Sequence, residues 1–237
     1  MNIRGTLLFH GYGVRGGTWK SVQAALGATI GPTRAPDLDA ETVDELIDLA
    51  AEHASRFAAD ADGPVILAGH SLGSVLAALV AQRLGPTVVA AAVLIAPPYG
   101  EREQLPGPLM KFLLRNRLVP PFLLRPRFFS PHTPIEIQKE VFANAVPEAP
   151  ALREMTLSRR FFHTDRFDGP LPVPSLVLAS RCDRIVPSHQ SESFGTLLGS
   201  EIVMLGSEEE VGHDDFFASP EIAARTAGII RDFAARV

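Results

Sequence analysis

Apolar residues along this chain fall into short runs that alternate with longer amphipathic or alanine-rich stretches. Glycine and proline bound the short runs, which have the length of buried strands, whereas the longer stretches have the length of helices. Such alternation is typical of parallel strands joined by crossover helices, so we predict an α/β fold with a mostly parallel twisted sheet of about six strands and helices on both faces. The predicted strands are residues 6–10, 28–30, 65–68, 89–95, 175–180 and 201–205.

The predicted helices occupy the stretches between these runs. The helix start at Thr42 is the best defined, because Thr42 and Glu45 have the spacing of a capping box. The helices are predicted at residues 18–26, 42–59, 72–84, 188–198 and 220–235.

The alternation stops between residues 98 and 168, where proline is frequent and no run resembles a strand. This segment contains 8 of the 14 phenylalanines of the chain. We interpret it as an inserted helical lid, so that residues 1–97 and 169–237 form the α/β core and residues 98–168 the lid.

Part of the lid, residues 111–130, carries five basic residues and no acidic one. Two interpretations stay open. The basic residues form the solvated face of a helical cap, or they form the rim of an apolar acyl or aromatic pocket that attracts an anionic substrate or a lipid surface. The five residues are Lys111, Arg115, Arg117, Arg125 and Arg127.

Composition places the chain among ordinary globular proteins, since 46% of its 237 residues are hydrophobic and 21% are charged. The formal charge of −5 argues against a nucleic-acid partner, which requires a basic face. The single cysteine, Cys182, excludes an internal disulfide, and we expect a small buried thiol. The longest apolar stretch, residues 88–98, is shorter than the roughly 18 residues of a membrane span, and no secretory leader is visible. We therefore expect a cytoplasmic protein without stable membrane insertion.

One pentapeptide carries the strongest chemical signal, the G-x-S-x-G match Gly69-His70-Ser71-Leu72-Gly73. It follows a strand-like run and opens a helix-like run, which makes it more specific than its letters alone. A serine on such a sharp turn has a strained backbone, and the positions two before and two after it have no room for a side chain. The turn also leaves the backbone N–H of Leu72 at a helix N-terminus, where an oxyanion is stabilised. We predict that Ser71 is a nucleophile; a glycine-rich turn without chemistry is the alternative.

Together with this turn, the tetrapeptide His10-Gly11-Tyr12-Gly13 after the first predicted strand resembles the α/β-hydrolase superfamily, over nearly the whole chain apart from the lid. The resemblance implies that the backbone N–H of Tyr12 is a second oxyanion donor beside Leu72, and that His10 stabilises a turn. Many members have an antiparallel hairpin before this motif that has no counterpart here, so we expect a trimmed version of the fold.

In that superfamily the catalytic acid follows a late strand and the histidine lies in the loop after the last strand. Asp183 follows the predicted strand 175–180 in a segment similar to the acid loop, although Arg181 stands where glycine is common. His213 follows the last predicted strand and the acidic run 208–210. A serine hydroxyl needs an imidazole to take its proton and a carboxylate to fix the tautomer of that imidazole. The resemblance implies that His213 and Asp183 fill these roles.

Other histidines and carboxylates compete for the two roles. His70 neighbours Ser71 but points elsewhere if the sharp turn forms. Asp165 and Asp168 precede a parallel strand, which places them at the opposite edge of the sheet from a site at the carboxyl ends. The remaining candidates lie in a predicted helix, in the lid or at a helix start close to Asp183, namely His53, His132, His163 and His189.

A dinucleotide-binding oxidoreductase is a rival interpretation, because residues 11–16 read G-x-G-x-x-G after a strand and Asp37 lies at the spacing of a ribose ligand. Pro32 and Pro36 weaken it, because they crowd the segment that such a fold would use as a central strand. It also leaves the serine turn and the predicted acid and base unexplained.

Neither a metal nor a cofactor is predicted. No histidine pair has the spacing of a metal site on a helix, and we expect the adjacent side chains of His213, Asp214 and Asp215 to diverge. The predicted function is hydrolysis of a small-molecule carboxylic ester with an apolar acyl or aromatic group through an acyl-enzyme. A thioesterase acting on CoA-bound or carrier-bound acyl chains is the closest alternative, and a slow-turnover binding protein on the same fold is another.

Overall fold

A computed structural model describes residues 3–27, 29–103, 105–116, 118–206 and 210–237. These residues form one sheet of six parallel strands in the spatial order β2-β1-β3-β4-β5-β6. The strands are β1 (Thr6–Phe9), β2 (Thr33–Arg34), β3 (Val65–His70), β4 (Val89–Ile95), β5 (Ser175–Ser180) and β6 (Glu201–Leu205). The predicted fold class is confirmed.

The helices are, in chain order, α1 (Lys20–Leu26), α2 (Val43–Asp60), α3 (Leu72–Leu84), α4 (Pro108–Arg115), α5 (Pro121–Phe128), α6 (Ile135–Ala143), α7 (Pro150–Leu157), α8 (Ser188–Leu198), α9 (Asp215–Ala218) and α10 (Pro220–Ala234). A short 3₁₀ helix, Gly16–Trp19, precedes α1, so the first predicted helix is split in two. The start of α2 has the predicted capping box, in which Thr42 Oγ1 accepts from Glu45 N at 3.2 Å and Thr42 N donates to Glu45 Oε2 at 3.1 Å.

Two apolar clusters cover the two faces of the sheet. Helices α2, α3 and α8 pack on one face, where Leu7 and Phe9 of β1 point. Helices α1 and α10 pack on the other face against Leu8, the intervening residue. Every residue of β1, β3, β4 and β5 is buried, as expected for parallel strands that are covered on both sides.

The second strand corrects one prediction. Of the predicted strand 28–30, Ala28 lies outside the described residues, and β2 forms at Thr33–Arg34 instead. This strand is at the sheet edge between Pro32 and Pro36, where proline is tolerated because one side of the strand needs no hydrogen bonds. Its two residues are half-buried or exposed, so no apolar run marks it.

Helices α4 to α7 lie between β4 and β5, in the segment predicted to be a lid. We call residues 98–168 the helical segment. Hydrogen bonds tie it to the sheet core: Glu148 Oε1 accepts from Gly13 N at 2.8 Å, and the Phe128 carbonyl accepts from Asp214 N at 2.8 Å. Within the described residues, no helix combines the length and apolar character needed to cross a membrane.

The direction of the chain reverses at β1. The chain moves from β1 outward to β2, then returns to the other side of β1 at β3. In open parallel sheets, ligands bind at the carboxyl ends of the strands beside such a reversal. This position is where the loops after β1 and β3 meet.

Candidate active site

Ser71 stands on the sharp turn between β3 and α3. Its φ of 53° and ψ of −117° lie in a region that residues with a side chain rarely adopt. Ser71 N donates to the carbonyl of Ile95 at 2.8 Å, and Ser74 Oγ donates to the Ser71 carbonyl at 2.5 Å. The surrounding structure thus holds a strained backbone that exposes the serine side chain above the sheet.

The glycines that flank this turn have no room for a side chain. A Cβ at Gly69 would lie 2.0 Å from the carbonyl oxygen of Gly73. A Cβ at Gly73 would lie 2.2 Å from the carbonyl oxygen of Phe9, at the end of β1. Since real contacts of this kind are longer than 3 Å, the close approach of α3 to β1 and β3 requires glycine at both positions.

Two backbone amides beside Ser71 are candidate oxyanion donors. Leu72 is the first residue of α3, and its N–H is one of those that a helix N-terminus leaves without an intrahelical partner. Tyr12 lies in the loop after β1 and lines the same cleft as Ser71. Within the described residues, neither N–H donates a hydrogen bond. Gly13, with φ of +76°, donates its N–H to Glu148 instead, which fixes the loop next to Tyr12.

His10 and Asp37 hold the loop after β1. His10 Nδ1 donates to the Gly11 carbonyl at 2.9 Å, and its Nε2 accepts from Leu38 N at 3.0 Å. Asp37 Oδ1 accepts from Gly16 N at 2.8 Å. These contacts are those of turn-stabilising residues, and they occupy the carboxylate that a dinucleotide-binding fold would use for a ribose.

Asp183 and His213 form a buried pair although 30 residues separate them. His213 Nδ1 donates to Asp183 Oδ2 at 2.7 Å, and both side chains are no more than 3% exposed. The other oxygen of Asp183 accepts from Ile185 N and Val186 N, each at 2.8 Å. The carboxylate is therefore fixed from both sides, and Nε2 of His213 is left as the acceptor of the neutral imidazole.

The surroundings of His213 favour its protonated form. Burial lowers the pKa of His213, but the charge and the hydrogen bond of Asp183, with a further contribution from Asp214, outweigh burial and raise it above the ordinary value. A neutral imidazole is required of a base, so the raised pKa sets a lower limit on the pH at which His213 can take a proton.

His70 contributes a contact that sequence reasoning missed. Its buried ring lies 4.5 Å from the ring of His213, and its Nε2 donates to the His213 carbonyl at 2.8 Å. Because His70 directly precedes Ser71, this contact brings the His213 loop to the serine turn. Burial keeps the pKa of His70 well below its ordinary value, so the ring is neutral. The only sequence signal for His70 was its position next to Ser71, which does not predict the contact with His213.

Asp214 and His213 do not diverge, contrary to the expectation from their adjacency. One ligand atom from each of His70, His213 and Asp214 lies within 4.8 Å of the others, and all three residues are buried. They are the one group with metal-like convergence within the described part of the chain. One nitrogen of each histidine is already hydrogen-bonded, to the His213 carbonyl and to Asp183. Burial raises the pKa of Asp214 to about 7.

Asp215 is a second residue that sequence reasoning missed. Its buried carboxylate accepts from Gly212 N at 2.7 Å and, in the helical segment, from Ser130 N at 2.9 Å and Thr133 Oγ1 at 2.6 Å. Asp215 therefore joins the His213 loop to the helical segment. More than 80 residues separate it from Ser130 and Thr133, so no local pattern marks this role.

The other competing residues are apart from the Asp183–His213 pair, although His163 lines the same cleft as Ser71. Asp165 is exposed and pairs with Arg160, and Asp168 is also exposed. His163 is buried, with Nε2 donating to the Pro98 carbonyl at 2.8 Å. The other three histidines lie inside α2, in the helical segment and in the first turn of α8, namely His53, His132 and His189.

Three further predictions concerned Cys182, the basic residues of the helical segment and the acidic run before His213. Cys182 is half-buried rather than buried, with Sγ 3.8 Å from the Gly206 carbonyl. Of the five basic residues, Arg115 pairs with Glu154 on the surface, whereas Arg117 lies outside the described residues. The same holds for Glu208 and Glu209 of the acidic run before His213.

A cleft opens beside Ser71 between the sheet core and the helical segment. The space between its walls, which includes open solvent, is about 460 Å³. A wider groove near Asp48 and Arg83 contains none of the motif residues. The walls of the cleft are largely apolar, with contributions from Leu72, Val75, Met155, Phe161, Phe162 and Val186.

Comparisons with known proteins agree with this architecture. A family model described as "Alpha/beta hydrolase family" matches residues 6–226. No curated protein matches the chain. Among solved structures, a lipase-esterase related protein from Clostridium acetobutylicum has a TM-score of 0.76 at 16% identity, with 98% of this chain and 95% of that chain covered.

Two esterases are similar to the same extent. An esterase from Rhodococcus has a TM-score of 0.75 at 19% identity, covering 98% of this chain and 90% of that chain. A thermophilic esterase from Thermogutta terrifontis has a TM-score of 0.71 at 21% identity, covering 98% and 89%. At these identities, the similarity is one of fold.

Proposed function

Because the chain belongs to the alpha/beta hydrolase family, we propose that it is a serine hydrolase that cleaves a carboxylic ester through an acyl-enzyme. The hydrogen bond of 2.7 Å between His213 Nδ1 and Asp183 Oδ2, held against the serine turn by His70, carries this proposal. It fixes the imidazole tautomer in which Nε2 can take a proton.

In the proposed reaction, Ser71 Oγ attacks the ester carbonyl carbon while its proton passes to His213 Nε2. The backbone amides of Tyr12 and Leu72 stabilise the oxyanion of the tetrahedral intermediate. The intermediate collapses as His213 donates its proton to the leaving alkoxide, which leaves an acyl-serine. Water, deprotonated by the same imidazole, then attacks the acyl carbon. The acyl–Oγ bond breaks as His213 returns this proton to Ser71 Oγ, and the acid is released.

We further propose that the helical segment is a lid over this site and that the acyl group is apolar. Met155 and Phe161 of the segment line the cleft, and Phe128 packs edge-on against His213 with ring centroids 6.1 Å apart. These contacts support the proposal, because a segment beside the cleft can limit access to the serine. The apolar walls favour an alkyl or aromatic acyl group over a polar one.

A fluorophosphonate probe tests the nucleophile. The probe reacts with an activated serine, so we expect stoichiometric labelling of the wild type and none of Ser71→Ala, as measured by intact-protein mass spectrometry. Ser193→Ala, which removes an exposed serine of α8, is the matched control and should label fully. Labelling that survives Ser71→Ala, or a wild type that stays unlabelled, contradicts the proposal.

Steady-state rates on matched acyl esters and thioesters then test the reaction class. We expect higher kcat/KM for the esters, and no change when a chelator is added, because no step of the proposed mechanism uses a metal. Higher kcat/KM for the thioesters would instead identify a thioesterase. Labelling of Ser71 without turnover of either series would identify a binding protein that keeps the site.

A further inference from the structure

Arg102 is the one charged residue at neutral pH among the described residues that line the cleft. His163 lines it as well, but burial lowers the pKa of His163 to about 4, so its ring is uncharged. The other lining side chains are apolar or carry hydroxyl groups. The cleft beside Ser71 therefore combines apolar walls with a single positive charge.

The guanidinium of Arg102 has no carboxylate partner among the described residues. Neighbouring arginines differ: Arg159 pairs with Glu101, and Arg160 pairs with both Glu101 and Asp165, all at the surface. Arg102 Nε is buried and has no hydrogen-bond acceptor among the described residues, and burial lowers the pKa of Arg102. The guanidinium carbon lies 4.6 Å from the centroid of the Phe161 ring, over its face.

The backbone around Arg102 is fixed. Arg102 N donates to the Arg159 carbonyl at 2.8 Å, and Phe161 N donates to the Gly100 carbonyl at 3.1 Å. Gln190 Nε2 of α8 donates to the Glu101 carbonyl at 3.3 Å. These bonds hold the arginine and the ring beneath it together on one wall of the cleft, so the cation is positioned before any ligand binds.

Withdrawing a guanidinium from water without an anion costs free energy, and an anion that binds it recovers that cost. We propose that Arg102 binds a carboxylate of the substrate, so that the natural substrate is an ester whose apolar chain ends in a negatively charged group. One guanidinium fork matches one carboxylate in a bidentate geometry. A phosphate dianion would bring a second negative charge, for which the described residues of the cleft supply no cation. The inference rests on the proposed function, because it assigns a substrate class to the same site.

Matched ester pairs test the assignment. Mono-p-nitrophenyl adipate and p-nitrophenyl hexanoate have the same acyl length and differ by the terminal carboxylate. We expect the wild type to prefer the adipate half-ester. In Arg102→Gln, we expect kcat/KM for the adipate to fall about 10- to 100-fold, the range of a hydrogen bond to a charged group, while that for the hexanoate changes less than about 3-fold. Arg102→Lys should recover part of the loss, because it keeps the charge without the fork.

Arg166→Gln is the matched control, since Arg166 stacks on Phe162 at 5.6 Å but does not line the cleft. It should leave the preference for the adipate unchanged. A neutral fluorophosphonate should label Arg102→Gln at the wild-type rate, which shows that the site is intact.

If Arg102→Gln changes both substrates equally, or leaves adipate hydrolysis unchanged, the carboxylate assignment is overturned while the esterase proposal stands. If the wild type hydrolyses neither ester and Ser71 stays unlabelled, the proposed function fails and the assignment fails with it.

Discussion

The sheet core and the helical segment differ in how many of their apolar residues are buried. Every residue of β4 is buried, whereas α4, α5 and α6 contain no buried residue. Of the nine large hydrophobic side chains that are exposed in the described structure, eight belong to the helical segment and only Ile202 to the core. Apolar packing therefore stabilises the core far more than the segment.

Hydrogen bonds also position the helical segment, in which few apolar residues are buried in the core, among them Leu152 and Phe167. Glu148 holds the loop after β1, the Phe128 carbonyl meets Asp214, and Asp215 binds Ser130 and Thr133. All of these contacts lie next to residues of the proposed reaction. Under the proposed function, the two regions have different roles: packing in the core fixes the reacting groups, and the proposed lid limits what reaches them.

The largest expected effect separates two aspartates, one in each region. Asp183→Asn should reduce kcat on an activated ester by about 10⁴-fold, because an amide at this position favours the wrong tautomer of His213. The change is measured by steady-state kinetics, with Tm recorded for both variants. Asp165→Asn, which alters an exposed carboxylate of the helical segment, should change kcat by less than about 3-fold. A larger loss of kcat in Asp165→Asn than in Asp183→Asn would show that Asp183 is not the catalytic acid.

Two glycines extend the comparison to stability. Gly73→Ala places a Cβ 2.2 Å from the Phe9 carbonyl oxygen, so α3 must move away from β1. We expect a loss of more than about 3 kcal/mol in the free energy of unfolding, or no soluble protein. Gly107→Ala, at the start of α4, meets no atom within 4 Å and has a φ of −60°, so we expect a change of less than about 1 kcal/mol. Urea unfolding measures both, and equal midpoints would contradict the description of the serine turn.

Asp214 provides the third contrast, because its carboxyl is buried whereas the acids of the helical segment are mostly exposed. Its pKa of about 7 exceeds the ordinary value of 3.8, so between these pH values the folded chain keeps a proton that the unfolded chain has released. Stability is therefore lost as pH rises through this window. Asp214→Asn should recover up to about 4 kcal/mol at pH 8 and less at pH 5, as measured by thermal unfolding.

The same variant should change the pH profile. His213 must be neutral to act as a base and its pKa is raised above 6.5, so kcat/KM should fall on the acidic side with a midpoint above pH 6.5. Removing the charge of Asp214 should shift this midpoint to lower pH. Glu154→Gln, which alters an exposed acid of α7, is the control and should leave both the profile and Tm nearly unchanged. An unshifted midpoint in Asp214→Asn would show that Asp214 does not influence the base.

The sequence was sufficient where the signal is local. The bounds of β4, β5, β6 and α3 agree with the predictions, because apolar runs mark them. Those of α8 also agree, because Pro187 and Gly199 flank this helix. The steric need for Gly69 and Gly73 is also local, since both serve one turn. Edge strand β2 was misplaced because its residues are not buried and carry no apolar pattern.

Contacts between distant segments were out of reach. His70 meets His213, Asp215 meets Ser130, and Arg102 meets Phe161, in each case through the fold rather than through spacing. Adjacency even misled in one case, since His213 and Asp214 converge where divergence was expected. The chemistry of single motifs can thus be predicted, whereas the residues that orient and charge the site require coordinates.

The smallest effect is expected for a leucine-to-alanine substitution in the helical segment, which we compare with the same substitution in the sheet core. Leu94 of β4 is fully buried, and Leu94→Ala should cost about 2–5 kcal/mol because it leaves a cavity in a packed sheet. Leu109 of α4 is 72% exposed, so Leu109→Ala should change the free energy of unfolding by less than about 0.5 kcal/mol. Alanine also favours helix slightly, which makes a small gain in stability as reasonable an outcome as a small loss. Turnover of a soluble ester should stay at the wild-type rate in Leu109→Ala, since this residue does not line the cleft.

A loss of 2 kcal/mol or more in the free energy of unfolding of Leu109→Ala would contradict this comparison, because it would mean that the Leu109 side chain is buried in solution. A dependence of Tm on protein concentration would then show that a second copy of this chain buries it.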